Sequence, residues 1–258
     1  MQQKKPLLEA PSWEVDLIPE DANPVSPQIE GKAAQVREMF GRIAGRYDLM
    51  NRLMTLDRDR IWRRLVVDRA RLRPGARLLD IGAGTGGIAR EAWDRYKELS
   101  IVAADFCVEM MQVGRSHRPS GSVQWCAADA LNLPFGDRTF DAVVSGYLLR
   151  NVRDAGLAFQ EQFRVLRPGG RVVCLDTTPP RGPLAPLIGL YFKRAIPLLG
   201  TWIGGDRRAY TYLPESTRAF VDPAVLARAL RNAGFQEINW RTLMFGTMAI
   251  HAAVKPRE

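Results

Sequence analysis

The chain has 258 residues, of which 46% are hydrophobic and 9% aromatic, a balance that suits a globular fold with a sizeable core and excludes a disordered or low-complexity chain. No run reaches the roughly 18 apolar residues of a membrane span and no apolar signal segment opens the sequence. The net charge of +9 points toward polyanions, either nucleic acid or an anionic membrane surface, without choosing between them. Three cysteines and two histidines stand far apart, which argues against a disulfide framework or a metal site. Cys107, Cys126 and Cys174 are expected as reduced, buried thiols and no metal is expected.

Residues 1–30 are rich in proline and acid and lack periodicity, so they read as a flexible extension. From Lys32 a helical pattern begins, with Val36, Phe40 and Ile43 on one face. Residues 57–70 repeat the signal, with Ile61, Trp62 and Leu65 expected to face inward, and Pro74-Gly75 closes a helical cap read over 31–73. Strands then alternate with helices. Strands are predicted over 76–81, 100–105, 122–128, 140–146 and 171–177, and helices over 86–97, 107–115 and 154–166. This alternation implies right-handed crossovers and a parallel, doubly wound α/β sheet. Arg167-Pro168-Gly169-Gly170 reads as a helix stop followed by a tight turn into a strand.

Residues 179–214 break the rhythm, with six prolines set among Leu184, Leu187, Ile188, Leu190, Tyr191 and Phe192, and read as an inserted lid of short helices. Asp222-Pro223 starts a helix that Gly234 ends. Strands over 235–244 and 248–255, turning at Gly246, close the chain and bring the strand count to seven. No second module is apparent, so 31–258 is expected to form one domain.

The segment Leu78 to Ala89, LLDIGAGTGGIA, is a buried strand running into closely spaced glycines and then a helix. Glycines let the backbone turn sharply and a ligand approach it, and the following helix aims its free N–H groups there. Gly82, Gly84 and Gly87 also satisfy the dinucleotide pattern GxGxxG, a weak signal alone. Asp80, two residues before the first glycine, tilts the choice. A carboxylate repels pyrophosphate but attracts S-adenosylmethionine, which carries an ammonium and a sulfonium.

Asp105 ends the second strand, placed to bind both ribose hydroxyls of either cofactor or to cap the next helix. Asp129-Ala130 ends the third, where an acid accepts an adenine amino group or caps a helix. Ser145-Gly146 ends the fourth on the cofactor side. Arg150 and Asn151 follow just beyond that strand end, where substrates bind.

Taken together, DIGAGTG, Asp105, LPFGDRTFDAVVS (133–145) and VLRPGG resemble class I S-adenosylmethionine-dependent methyltransferases. More specifically, YDLMNRLMTLDRDRIW (47–62), LLRNV (148–152), RVLRPGGRVVCLDTT (164–178) and AYTYLPESTRAF (209–220) resemble the ubiquinone/menaquinone biosynthesis C-methyltransferase family, over roughly residues 32–256. Thr55, Asp59, Asp176 and Thr178 depart from that pattern, which usually has serine, histidine, glutamate and serine there. Asp59 argues against any mechanism needing an imidazole at its position.

The resemblance implies a Rossmann-like, mostly parallel seven-stranded sheet with a C-terminal antiparallel strand. It implies S-adenosylmethionine as cofactor, held by Asp80, Gly82, Gly84, Thr85, Gly86, Asp105, Phe106, Asp129, Ala130, Ser145 and Gly146. It implies methylation of a ring carbon on a polyprenylated benzoquinol or naphthoquinol, with Tyr47, Asn51, Arg150 and Asn151 binding and polarising the ring hydroxyls. Asp48 is read as the partner of a helix arginine or as a base.

The apolar lid, interleaved with Lys193 and Arg194, either rests on an anionic membrane from the cytoplasmic side or is an ordinary buried cap. Methylation of another small aromatic or lipid acceptor, or a non-catalytic subunit holding quinone intermediates, stays open. RNA methylation is disfavoured, and no nucleic-acid partner is expected, because no separate RNA-binding module is present. Nothing in the sequence decides between a monomer and a homodimer.

Overall fold

The computed structural model describes residues 32–117, 123–180, 185–191, 194 and 221–257. The extension read over 1–30, most of the lid and the 209–220 motif lie outside the described residues.

Among the described residues three α-helices precede the sheet: α1 (Lys32–Ile43), α2 (Tyr47–Thr55) and α3 (Arg58–Ala70). Then come β1 (Arg77–Ile81), α4 (Gly87–Arg95), β2 (Ser100–Asp105), α5 (Val108–Ser116), β3 (Gln124–Ala127), β4 (Phe140–Gly146), α6 (Ala155–Val165) and β5 (Leu166–Thr177). After the short α7 (Ala185–Leu190), the chain ends in α8 (Pro223–Asn232), β6 (Gln236–Leu243) and β7 (Met248–Val254).

The strands form one seven-stranded sheet in the order β3-β2-β1-β4-β5-β7-β6. β1 to β5 pair in parallel, and β7 runs antiparallel between β5 and β6. The strand order reverses between β1 and β4, so the crevice at their carboxyl ends is the place where an open sheet of this kind binds ligands.

Successive side chains of a strand point to opposite faces, and each face has its own core. On one face Leu78, Ala142, Val144 and Val173 pack with α3, α4 and α5 through Val66, Val67, Ala89 and Met111. On the other, Leu79, Val143 and Val172 pack with α6 and α8 through Ala158, Phe159 and Leu230. Covering both faces explains why β1 and β4 read as continuous apolar runs.

Local signals start α6 and α8 as read. Asp154 caps α6 by accepting from the N–H groups of Gly156 and Leu157, at 2.8 and 3.0 Å. Asp222 caps α8 through Ala224 N at 2.8 Å, with Pro223 in the first helical position.

Two expectations need correction. Ile61 is exposed; the buried face of α3 is Asp59, Trp62, Val66, Val67 and Ala70, because the helix turns the 59-62-66-70 stripe toward the sheet. β5 begins at Leu166 rather than 171, and the Pro-Gly-Gly run lies inside it as an irregularity. Leu166 pairs with Phe140 and regular pairing resumes at Arg171 with Ala142.

Candidate active site

β1 carries Asp80 into the core and delivers the chain to the glycine loop. Gly82 and Gly86 have φ of +65° and +74°, and a Cβ on them would lie 2.9 Å from Leu148 and 2.6 Å from the Trp125 ring. Both the left-handed backbone and the close packing therefore require glycine. Asp80 Oδ2 accepts from Ala89 N at 3.0 Å, which ties the strand to the first turn of α4, and its buried Oδ1 has no partner. Burial pushes the Asp80 carboxyl up to about 7. A buried acid with an open oxygen beside a glycine turn is a seat for a cation.

Asp105 holds the loop from the next strand. Its Oδ2 accepts from Gly84 N at 2.7 Å and its Oδ1 from Cys107 N at 2.8 Å, and burial pushes it up to about 6. α2 reaches over the loop: Thr85 donates its hydroxyl to Asp48 Oδ1 at 2.7 Å, and Arg90 donates to Asp48 Oδ2 at 3.1 Å and to the Thr85 carbonyl. Asp48 is thus the partner of a helix arginine and anchors the cap to the loop.

Beyond β4 the chain turns at Tyr147, whose φ of +62° is rare for an aromatic residue. Tyr147 N donates to the Leu175 carbonyl at 2.8 Å, and Asn151 Nδ2 donates to the Tyr147 carbonyl at 2.7 Å. The Arg150 guanidinium lies 5.0 Å from the centre of the Tyr147 ring. The Tyr147 hydroxyl is buried without a hydrogen-bond partner. Burial pushes the Tyr47 and Tyr147 phenols up from their ordinary range, so both stay neutral near pH 7.

Arg150 is itself buried. Its Nη1 donates to Asp176 Oδ1 at 2.7 Å, its backbone N–H to Asp176 Oδ2 at 3.2 Å, and its Nε has no partner. Burial opposes the Arg150 charge, and the Asp176 carboxylate outweighs that effect.

Two cavities share Asn51 and Tyr147 as wall. The first is a cleft over the glycine loop, lined by Tyr47, Asp48, Asp80, Gly82, Gly84, Thr85 and Gly146. The second has a volume of about 610 Å³ and runs outward between α2, α7 and the β6–β7 turn, past Met54, Leu56, Leu187, Leu190 and Phe245. Arg150 and Thr177 lie at its inner end beside Tyr147.

Of the residues read as site members, Tyr47, Asn51, Asp80, Gly82, Gly84, Thr85, Gly146 and Arg150 line these two cavities. Ser145 is buried at the end of β4, next to Gly146. Phe106 follows Asp105 in the bend before α5. Asp129 lies beyond β3 and caps a turn through Leu131 N at 2.9 Å, with Ala130 buried behind it. Gly86, Asp105, Phe106, Asp129, Ala130, Ser145 and Asn151 line neither cavity. Sequence reasoning missed Tyr147 and Arg63, which both line the cleft over the glycine loop, and the role of Asp176, which was read only as a departure from a pattern.

The residues present fit S-adenosylmethionine: an open acid oxygen for its positive charge, a glycine cradle with no room for a Cβ, and a carboxylate ending β2. With a doubly wound sheet and a site at its switch point, the protein is a Rossmann-like S-adenosylmethionine-dependent methyltransferase. The chain belongs to the ubiE/COQ5 methyltransferase family, whose model matches residues 28–255.

A ubiquinone/menaquinone biosynthesis C-methyltransferase UbiE of Desulfotalea psychrophila is 44% identical over 87% of this chain and 92% of its own. A demethylmenaquinone methyltransferase of Roseiflexus castenholzii is 42% identical over 90% and 98%. Among solved structures, a possible histamine N-methyltransferase of Thermotoga maritima shares the fold with a TM-score of 0.60 at 19% identity, covering 84% of this chain and 98% of that one. A phosphoethanolamine N-methyltransferase of Haemonchus contortus, solved with S-adenosylhomocysteine and phosphomonomethylethanolamine, has a TM-score of 0.59 at 19% identity, covering 76% and 52%.

Proposed function

We propose that this enzyme methylates a ring carbon of a polyprenylated quinol in respiratory quinone biosynthesis. The observation that carries the reading is the 610 Å³ apolar cavity that meets the cofactor cleft at Tyr147 and Asn51. An aromatic head placed at that junction faces polar groups at one end only, and the outward apolar walls suit a prenyl tail.

Bound S-adenosylmethionine supplies an electrophilic methyl group on its sulfonium. Asp80, Asp105 and the glycine loop hold it, with Thr85, Phe106, Asp129, Ala130, Ser145 and Gly146 completing the proposed set. At the junction, Arg150 Nε and the Tyr147 hydroxyl are buried groups with no internal partner. They donate to a ring oxygen and stabilise the negative charge that develops there as the ring carbon becomes nucleophilic. Tyr47 and Asn51 close the opposite wall. Tyr47 and Tyr147 act as donors rather than bases, because burial keeps them protonated. Asn151 keeps the Tyr147 turn in shape instead of touching the ring. The enclosed junction also excludes water from the methyl transfer.

Access to the membrane pool belongs to the same reading. Among the described residues no helix is long and apolar enough to cross a membrane. Yet Leu56, Phe245 and Leu187 are 73%, 71% and 65% exposed at the mouth of the cavity, with Arg194 beside them. Such a rim fits shallow insertion into an anionic membrane surface from the cytoplasmic side.

Comparing a long-tailed demethylmenaquinol with its tail-less naphthoquinol head in detergent tests the reading. The tailed substrate is expected to show a kcat/KM higher by about tenfold or more, as buried apolar surface allows. Equal values would mean that the cavity does not hold the tail.

A further inference from the structure

We propose that Arg63 receives the α-carboxylate of the bound cofactor and that Asp59 holds it in position to do so. The proposal rests on reading the glycine-loop cleft as the S-adenosylmethionine site and goes beyond it by naming the group that recognises the amino-acid end.

Arg63 and Asp59 lie one turn apart on α3, and both line the cofactor cleft. Asp59 is buried. Its Oδ2 accepts from Arg63 Nη2 at 2.6 Å, and its Oδ1 lies 3.3 Å from the Thr55 hydroxyl. The Arg63 side chain is 19% exposed and rests on the first turn of α4. A Cβ on Gly87 would lie 2.7 Å from Arg63 Cζ, 2.8 Å from Nη1 and 2.9 Å from Nε, so the bare glycine backbone is what admits the guanidinium.

From this seat the Arg63 charge acts on Asp80, Tyr47 and Tyr147, which line the same cleft. Asp59 engages a single guanidinium nitrogen, which leaves Nη1 and Nε for a ligand. The first turn of α4 presents backbone N–H groups beside it.

A zwitterionic amino-acid end needs an acid for its ammonium and a cation for its carboxylate. Asp80 Oδ1 is the open acid oxygen, and Arg63 is the cation across the cleft from it. A second cation near the loop, Arg90, is already engaged by Asp48, the Thr85 carbonyl and His117. A carboxylate held by a planar guanidinium also explains why a large basic side chain sits over the loop at all.

The test is calorimetry on the full chain with two ligands, S-adenosylmethionine and its decarboxylated analogue, which keeps the sulfonium and an ammonium. The unmodified protein should bind S-adenosylmethionine about 10- to 100-fold more tightly than the analogue, the range of a charge-assisted hydrogen bond. Arg63→Met should erase that preference by losing affinity for S-adenosylmethionine alone, and Arg63→Lys should restore part of it. Asp59→Asn should lower the preference partway; a full preference there would overturn the positioning role of Asp59.

A preference that survives in Arg63→Met, or an equal loss for both ligands, would overturn the proposal. Thermal unfolding of each variant identifies a loss that stems from misfolding, and the Lys variant then decides. Failure of the unmodified protein to bind either ligand is a separate failure, since it would overturn the cofactor site itself.

Discussion

Arg150 and Asp176 form a buried ion pair, 2.7 Å from Nη1 to Oδ1, and the same carboxylate accepts the Arg150 backbone N–H at 3.2 Å. One acid at the end of β5 therefore fixes both the main chain and the side chain of the residue that faces the acceptor cavity. The pair presents Arg150 as a donor with its charge balanced, which suits the proposed role of polarising a ring oxygen.

Breaking this pair should separate chemistry from cofactor binding. Arg150→Ala is expected to lower kcat by about 10²- to 10³-fold, the cost of a lost oxyanion donor, with S-adenosylmethionine affinity unchanged. The reason is that Arg150 lines the acceptor cavity and not the glycine-loop cleft. Asp176→Ala leaves a buried cation unpaired and should cost about 3–5 kcal/mol of stability. Urea unfolding and single-turnover methyl transfer check the two outcomes. Unchanged turnover in Arg150→Ala would remove it from the chemistry.

Asp80 makes the protein pH-dependent in a direction opposite to most acids. Its folded-state pKa of about 7 lies above the ordinary 3.8. Between those values the unfolded chain releases a proton that the folded chain retains, so stability falls as pH rises through that window. Asp105, at about 6, adds the same sign. A bound cation favours ionised Asp80, so S-adenosylmethionine affinity should rise with pH up to about 7 and then level off, with proton uptake by buffer on binding. Calorimetry in buffers of different ionisation enthalpy reads this directly. Asp80→Asn should flatten the affinity profile and reduce the stability slope.

Gly114 tests the packing under the loop. Alanine in a helix interior is worth about 1 kcal/mol over glycine, so Gly114→Ala on α5 would ordinarily stabilise. Here the new Cβ would lie 2.8 Å from the Thr85 carbonyl oxygen and press on the Trp125 ring. Overpacking of this kind costs about 1–3 kcal/mol, and the backbone carbonyl has little room to yield, so the net effect should be destabilising. The variant should also bind S-adenosylmethionine more weakly, because Thr85 belongs to the glycine loop. Urea unfolding with and without ligand measures both.

What could be read before the fold was known follows from how local each signal is. The Asp80-to-Gly86 turn was legible because its backbone demands glycine and its chemistry lies in adjacent residues. The strand ends at Asp105 and Gly146 were legible because apolar runs announce them. Ile61 was misread because three apolar neighbours on α3 share one turn, and only the sheet decides which of them is covered. Tyr147 was passed over because its importance comes from a left-handed turn and two cavities that meet at its side chain. Arg63 was passed over because α3 and Gly87 are brought together by tertiary packing alone. Arg150 was legible from its place after β4, yet its partner Asp176 lies 26 residues on, near the end of β5, and meets it only because the sheet sets β5 beside β4.

The most direct test of the account is to incubate the full chain with S-adenosylmethionine and reduced demethylmenaquinol, in parallel with the demethylated benzoquinol precursor, and to follow the products by mass. The account predicts the gain of one methyl group on a ring carbon of at least one of the two quinols. No methylated product from either, in a preparation that binds S-adenosylmethionine by calorimetry, would contradict it.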